Sequence, residues 1–407
     1  MPDVRPTDIL PDARPDNWVD RYAPDRMRPW LKLGRFDRPA GIWLLMLPGW
    51  QGAALAASMA GRWPDLLLLA KIFVGAALMR AAGCAYNDIV DRDLDAKVAR
   101  TAGRPVASGR ISVRRAWAFI VACSLAAALI LFTLPPLAIA LALAQYRQAP
   151  GLYDLWLFVG FGIGACLMRA AGCAFNDIVD RDFDARVSRT ALRPIPAGLI
   201  SVKQAWAFVI GCSLISLMIL LTLPKVAILL GVGSCALVAA YPFMKRITWW
   251  PQAWLGLTFN WGVLLGFAAA AGQLETPAYL LYAAGLFWTL GYDTIYAVQD
   301  MEDDALAGIR SSARRLGRLA PRAVLGFYVL AFTLVLACAF AARLGPLFLP
   351  LAAGYGLHLS RQAARLDLDD PAGALDLFRS NAVAGLILFA ALAAGQFGQG
   401  LWGGGGL

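Results

Sequence analysis

From Ala40 to Ala394 the chain is built of apolar runs of about 20 residues divided by short polar segments, the length a helix needs to cross a bilayer. The pattern predicts spans over Ala40–Met59, Asp65–Tyr86, Ala116–Phe132, Leu155–Phe175, Ala205–Leu221, Val226–Phe243, Pro251–Ala271, Ala278–Val298, Arg322–Ala341, Pro346–Leu359 and Asn381–Ala394. One shorter run, Leu134–Ala144, holds about a dozen residues and Pro135–Pro136, and reads as re-entrant or interfacial. The expected fold is therefore an all-α, polytopic bundle of about eleven spans, because lipid offers backbone groups no partner outside their own helix. Residues 1–38 read as a basic, Pro-containing arm, 39–396 as the bundle and 397–407 as a Gly-rich tail.

Composition agrees: 59% of the 407 residues are hydrophobic and 16% charged, too apolar for an ordinary soluble domain. The net charge of +10 does not point to nucleic acid, because the basic residues sit in the short segments between apolar runs. Anionic headgroups and phosphorylated ligands suit them better. Segments Asn87–Arg115, Asn176–Lys203, Asp300–Arg322 and Ser360–Arg379 are basic-rich, whereas Gly61–Pro64 and Gly272–Pro277 hold only Arg62. That alternation predicts a cytoplasmic N-terminus with the long basic loops on the same side; the expected location is a bacterial inner membrane. The seven cysteines fall inside apolar runs and the one histidine is His358, which excludes a histidine–cysteine metal site.

The chain also repeats itself. Residues 78–136 and 167–225 align without gaps, 39 of 59 positions being identical. LMRAAGCAYNDIVDRDLDAKVARTAGRPVASG returns as LMRAAGCAFNDIVDRDFDARVSRTALRPIPAG, diverged enough to suggest an old duplication or recombination.

Each copy carries an acidic cluster where an apolar helix meets the cytoplasmic boundary. On a helix Asn87, Asp88, Asp91 and Asp95 share an arc of roughly 100°, with Arg80 two turns earlier on the same face. The second copy repeats this with Arg169, Asn176, Asp177, Asp180 and Asp184. Three carboxylates on one face repel one another, and their hard oxygens call for Mg²⁺. The plainer alternative is helix capping or pairing with Arg92, Lys97 and Arg100. It suits a single aspartate better than a four-residue face that occurs twice.

A second acidic face lies in GYDTIYAVQDMEDD, where Asp293, Asp300 and Asp304 project within about 40° of one another. Two such faces suggest two metal ions clamping one diphosphate. Its remaining charge would fall to Lys97, Arg100 and Arg104 or to Arg186, Arg189 and Arg193, with Lys245 and Arg246. Any one of these could equally be a simple loop charge.

These residues carry a family likeness. NDxxDxxxD at Asn87–Asp95 and Asn176–Asp184, the TAxRPxxxG sequel, YPFMKR at Tyr241–Arg246 and DTIYAVQDMEDD at Asp293–Asp304 resemble the UbiA superfamily of membrane prenyltransferases. MRAAGC and GIRSSARRLG resemble its 4-hydroxybenzoate polyprenyltransferase branch. The resemblance, from about Leu31 to Gly395, implies a nine-helix bundle open to lipid, Mg²⁺, an isoprenoid diphosphate donor and a step of ubiquinone biosynthesis. The family carries the first motif once, and removing one copy here leaves 318 residues and nine spans.

The expected reaction moves a polyprenyl group from its diphosphate to the ring of 4-hydroxybenzoate. Asp177, Asp180, Asp184, Asp300 and Asp304 are the expected metal ligands, with Arg169, Asn176 and Asp293 also catalytic; Arg80, Asn87, Asp88, Asp91 and Asp95 are their first-copy equivalents. Arg169 or Arg80 suits the acceptor carboxylate or could neutralise its neighbouring aspartates. The second copy is preferred because it leads straight into a full-length helix ending at YPFMKR, and because Pro196 replaces Ala107 in its loop. Other acceptors, such as homogentisate or a tetrapyrrole, remain open. A secondary transporter fits less well, since transporter sites lie near the membrane midplane.

Overall fold

The computed structural model describes residues 17–90, 92, 103–133, 163, 167–168, 170–172, 174–175, 177–179, 181, 195, 198–221, 225–301 and 310–398. Among them there are helices and short 3-10 turns, and no strand. In chain order the helices are α1 (Trp18–Tyr22), α2 (Arg28–Leu33), α3 (Ala40–Met59), α4 (Leu66–Val90), α5 (Val113–Thr133), α6 (Val202–Leu220) and α7 (Lys225–Ile247). They continue with α8 (Pro251–Phe259), α9 (Trp261–Ala271), α10 (Thr276–Tyr296), α11 (Ser312–Leu316), α12 (Ala320–Ala341), α13 (Phe348–Arg365) and α14 (Pro371–Ala394). Five stretches among the described residues are long and apolar enough to cross a membrane: 40–59, 66–89, 202–220, 312–341 and 371–394. The chain is an integral, multi-pass membrane protein. The 134–144 run expected not to cross lies outside the described residues.

Two compact units divide the chain, the first comprising Met1–Ile42, Phe73–Leu134 and Leu152–Ile219. There the arm packs on the first copy of the repeat. Leu33 joins Ala85, Val106, Ile111 and Ala116 in one buried cluster, and the Trp30 and Phe119 rings meet at 5.8 Å. The second copy builds its own cluster from Ala171, Ile178, Ala205, Val209 and Cys212. The likeness of the two copies becomes equal geometry here: Tyr86 meets Trp117, and Phe175 meets Trp206, each at 5.9 Å with rings inclined by 73°.

In the second unit, Trp43–Ile72 and Leu220–Leu407 among its segments, α10 packs against α8, α9, α12 and α14. Its apolar face is sealed by Trp288, 2% exposed, whose indole N–H donates to Asn381 Oδ1 at 2.9 Å. Glycines bring α3 and α9 into backbone contact in this unit. A methyl group on Gly52 would collide with the Val263 carbonyl oxygen, and one on Gly266 with the carbonyl of Gly49.

Several helices start or end a few residues from the hydropathy reading, and two departures are larger. The run 251–271 is not one helix but α8 and α9, broken at buried Asn260, whose Nδ2 donates to Gly256 O at 2.9 Å and to Thr289 Oγ1 at 2.8 Å. Bonding of an Asn side chain to nearby backbone competes with helix continuation, and an apolar average cannot register it. The last span begins at Pro371 rather than Asn381. Asp370 caps it by accepting from Gly373 N–H at 2.9 Å, and Asp376 and Arg379 pair at 3.0 Å one turn apart, so charged residues continue the helix past the apolar run.

Candidate functional site

The first Asn–Asp motif rides the last turn of α4. Asn87 is exposed while Asp88 is fully buried, as a 100° step per residue requires at the edge of an amphipathic face. Asp88 faces basic side chains of its own unit. It accepts a short hydrogen bond from Arg35 Nη2, and Arg104 Nη1 stands 3.7 Å away. Arg35 reaches it from a left-handed backbone, φ 60°, at the end of α2, where Phe36 N–H closes the turn on Leu31 O at 2.9 Å. Glycine is the usual occupant of such a turn. Arg80 lies against the backbone of Gly41, and its Nε has no hydrogen-bond partner among the described residues. Asp91 and Asp95 lie outside the described residues.

Sequence reading passed over the segment GRFDRP, which supplies this pocket. Asp37 is 3% exposed, with Arg38 Nε 3.5 Å from its Oδ2. Burial holds the Asp37 carboxyl above its ordinary value of 3.8, outweighing the pull of Arg38, Arg35 and Lys32 in the other direction. Three charges packed into six residues before an apolar run were the available signal.

Removing one partner from a buried ion pair leaves an uncompensated charge. Arg35→Ala should therefore lower stability by about 3–5 kcal/mol in denaturant titrations of the detergent-solubilised protein. Arg35→Gly should lose about 1 kcal/mol less, because it relieves the left-handed backbone. Equal stability of Arg35→Gly and the parent would remove the ion pair from this account.

In the second copy Asp177 is half-buried. The buried cluster that includes its neighbour Ile178 draws only on its own copy among the described residues. Arg169, Asn176, Asp180, Asp184, Arg186, Arg189 and Arg193 lie outside them.

The second acidic segment closes α10. Asp293 is half-buried in its last turn, and Asp300 ends the 3-10 turn Ala297–Asp300. Asp304 lies outside the described residues, as do the side chains of Asp300, Lys245 and Arg246, the last two being carried by the final turn of α7. Aromatic rings flank Asp293: Trp288 meets Tyr292 at 5.5 Å, and Phe378 meets Tyr292 at 5.9 Å and Tyr296 at 4.7 Å. Among the described residues no three acidic, cysteine or histidine side chains converge on one point.

Comparison with known proteins gives this arrangement its context. The family model for the UbiA prenyltransferase family matches residues 45–146 and 144–393. The mitochondrial 4-hydroxybenzoate polyprenyltransferase of Caenorhabditis elegans is 45% identical over 249 residues, covering 61% of this chain and 69% of the relative. The protein of the same name from Homo sapiens is 45% identical over 250 residues, 61% of this chain and 67% of its own. A solved UbiA homolog from Archaeoglobus fulgidus bound to GPP and Mg²⁺ is 16% identical and covers 90% of this chain and 99% of that one, with a TM-score of 0.39. The second family match takes in one Asn–Asp motif, the YPFMKR helix end and the Asp293–Asp304 segment without a break, and with the first match it accounts for most of the chain, which belongs to the UbiA prenyltransferase family.

Proposed function

We propose that the chain transfers a polyprenyl group from polyprenyl diphosphate to the ring carbon beside the hydroxyl of 4-hydroxybenzoate, a step of ubiquinone biosynthesis in a bacterial inner membrane. The supporting observation is the 45% identity over 249 residues with a relative of that activity. The residues present suit Mg²⁺. Carboxylate and amide oxygens are its preferred donors, and Asp293 and Asp300 stand at the C-terminal end of α10, where backbone carbonyls favour a cation. Asp300 and Asp304, with Asp177, Asp180 and Asp184, would hold the metal; bound there, it would neutralise charge developing on the diphosphate leaving group.

The rest belongs to the chain itself. Arg186, Arg189, Arg193, Lys245 and Arg246 take the remaining phosphate charge. Arg169 orients the acceptor carboxylate, and Asn176 hydrogen-bonds a phosphate oxygen. The faces of Tyr292, Tyr296 and Phe378 beside Asp293 stabilise the allylic cation left when the C–O bond ionises, and the apolar bundle keeps water from it. The ring then gives up one proton.

Transfer of radiolabel from donors of graded length decides the reading. We expect labelled 4-hydroxybenzoate and loss of the product on chelation. Label entering homogentisate instead would change the acceptor, and absence of diphosphate release would remove the enzyme.

Orientation has its own test. Cysteines placed at Ser108 and Ala197, in a background lacking the native ones, should both react with an impermeant thiol reagent from the cytoplasmic side. Reaction from opposite sides would show that Leu134–Ala144 crosses.

A further inference from the structure

The segment GIRSSARR, just beyond the second acidic motif, has no part in the reaction described so far. In the second unit its described residues make a set of contacts with three helix ends and one ring. Ser312 and Thr294 are both fully buried, and their hydroxyl oxygens are 2.7 Å apart. Thr294 spends its own proton on Leu290 O at 2.6 Å, so Ser312 is the donor between them. The Ser312 backbone N–H donates to Gln252 Oε1 at 3.0 Å, in the first turn of α8. Arg310 Nη1 donates to Ile247 O at 2.8 Å, at the end of α7. Its guanidinium lies 5.7 Å from the centre of the Trp249 ring, and that of Arg314 lies 5.6 Å from it.

A fully buried hydroxyl pair is costly to break. Here it joins the last turn of α10, one residue after Asp293, to a chain point 18 residues later. The same segment grips the carbonyl end of α7, immediately after Lys245 and Arg246. The acidic end of one helix and the basic end of another are thus held on one hydrogen-bonded frame.

We propose that Ser312, Thr294, Gln252 and Arg310 form a positioning latch, which sets the Asp293–Asp300 turn for metal and the Lys245–Arg246 turn for phosphate. None of the four is a catalytic residue. The proposal rests on the metal and diphosphate roles given above. Outer partners of this kind typically change metal affinity by about 10–100-fold when removed.

The test uses the full chain in nanodiscs, with Mn²⁺ as the probe ion, inorganic diphosphate as the probe anion and electron paramagnetic resonance to count free Mn²⁺. Ser312→Ala and Thr294→Val should each weaken Mn²⁺ binding about tenfold, and Thr294→Ser, which keeps the hydroxyl, should restore it. Hydrogen exchange should quicken in peptides covering 294–301 and stay as in the parent within α12, which also shows that the variants are folded. Unchanged Mn²⁺ affinity in a folded Ser312→Ala protein would overturn the latch, whatever the exchange rates. If the parent binds no Mn²⁺ with diphosphate, the metal reading has failed instead. Exchange then decides alone: quickening at 294–301 keeps the latch and unaltered exchange rejects it.

Discussion

Asp293→Ala and Asp300→Ala should each abolish prenyl transfer, with a fall in turnover of at least about a hundredfold. The reasoning begins with burial. Asp293 is half-buried in a helix with no other charged residue, and a carboxylate placed so is costly without a cation beside it. Asp300 follows it two helical turns later, on the 3-10 turn that continues α10. Charge develops on the leaving diphosphate only as the C–O bond breaks, so a lost metal ligand weakens the transition state more than the bound donor. Such losses reach several kcal/mol. Turnover should collapse while binding of the donor's polyprenyl tail persists. Diphosphate release at near-parental rates in both variants would end the proposed clamp.

The repeat yields the second large effect. Asp180→Ala should eliminate transfer, whereas Asp91→Ala should leave most of it. One diphosphate needs one Asn–Asp motif, so one of the two is dispensable. The family match that contains the second copy runs unbroken through the Asp293–Asp304 segment. In the first copy Asp88 is already neutralised by Arg35, with Arg104 close by, inside a cluster closed by the arm. Asp91 and Asp180 are better choices than Asp88 and Asp177, because losing Asp88 would also break the buried ion pair and confuse stability with chemistry. If Asp91→Ala silences the protein and Asp180→Ala does not, the two copies exchange roles. If each substitution silences it alone, both motifs serve the reaction.

What could be read from the chain in advance divides along physical lines. Ala40–Met59 was legible to the residue, and the span expected to start at Ala278 forms at Thr276, because long apolar runs bounded by turns leave one solution in lipid. The i, i+4 spacing behind the expected acidic faces is local too, but Asp91, Asp95, Asp180, Asp184 and Asp304 lie outside the described residues. The burial of Asp88 was not legible. Its partner Arg35 is 53 residues away, and only tertiary packing brings the two together. The Ser312–Thr294 bond stayed hidden for the same reason, its partners lying 18 residues apart, whereas the break at Asn260 turns on a local bond to Gly256 that an apolar average does not register. Hydropathy reports where helices lie and says little about which polar groups find one another.

The backbone contact between α3 and α9 makes Gly52 and Gly266 a distinct kind of mutational target. Every other amino acid carries a Cβ, so every missense change at either codon pushes a side chain into main chain rather than into a flexible neighbour. No replacement is conservative there, not even alanine. Inherited or laboratory-selected defects at these two sites should show as fewer folded molecules in the membrane, each with ordinary turnover, whereas defects at Asp293 or Asp300 should leave abundance intact and silence the molecules that remain.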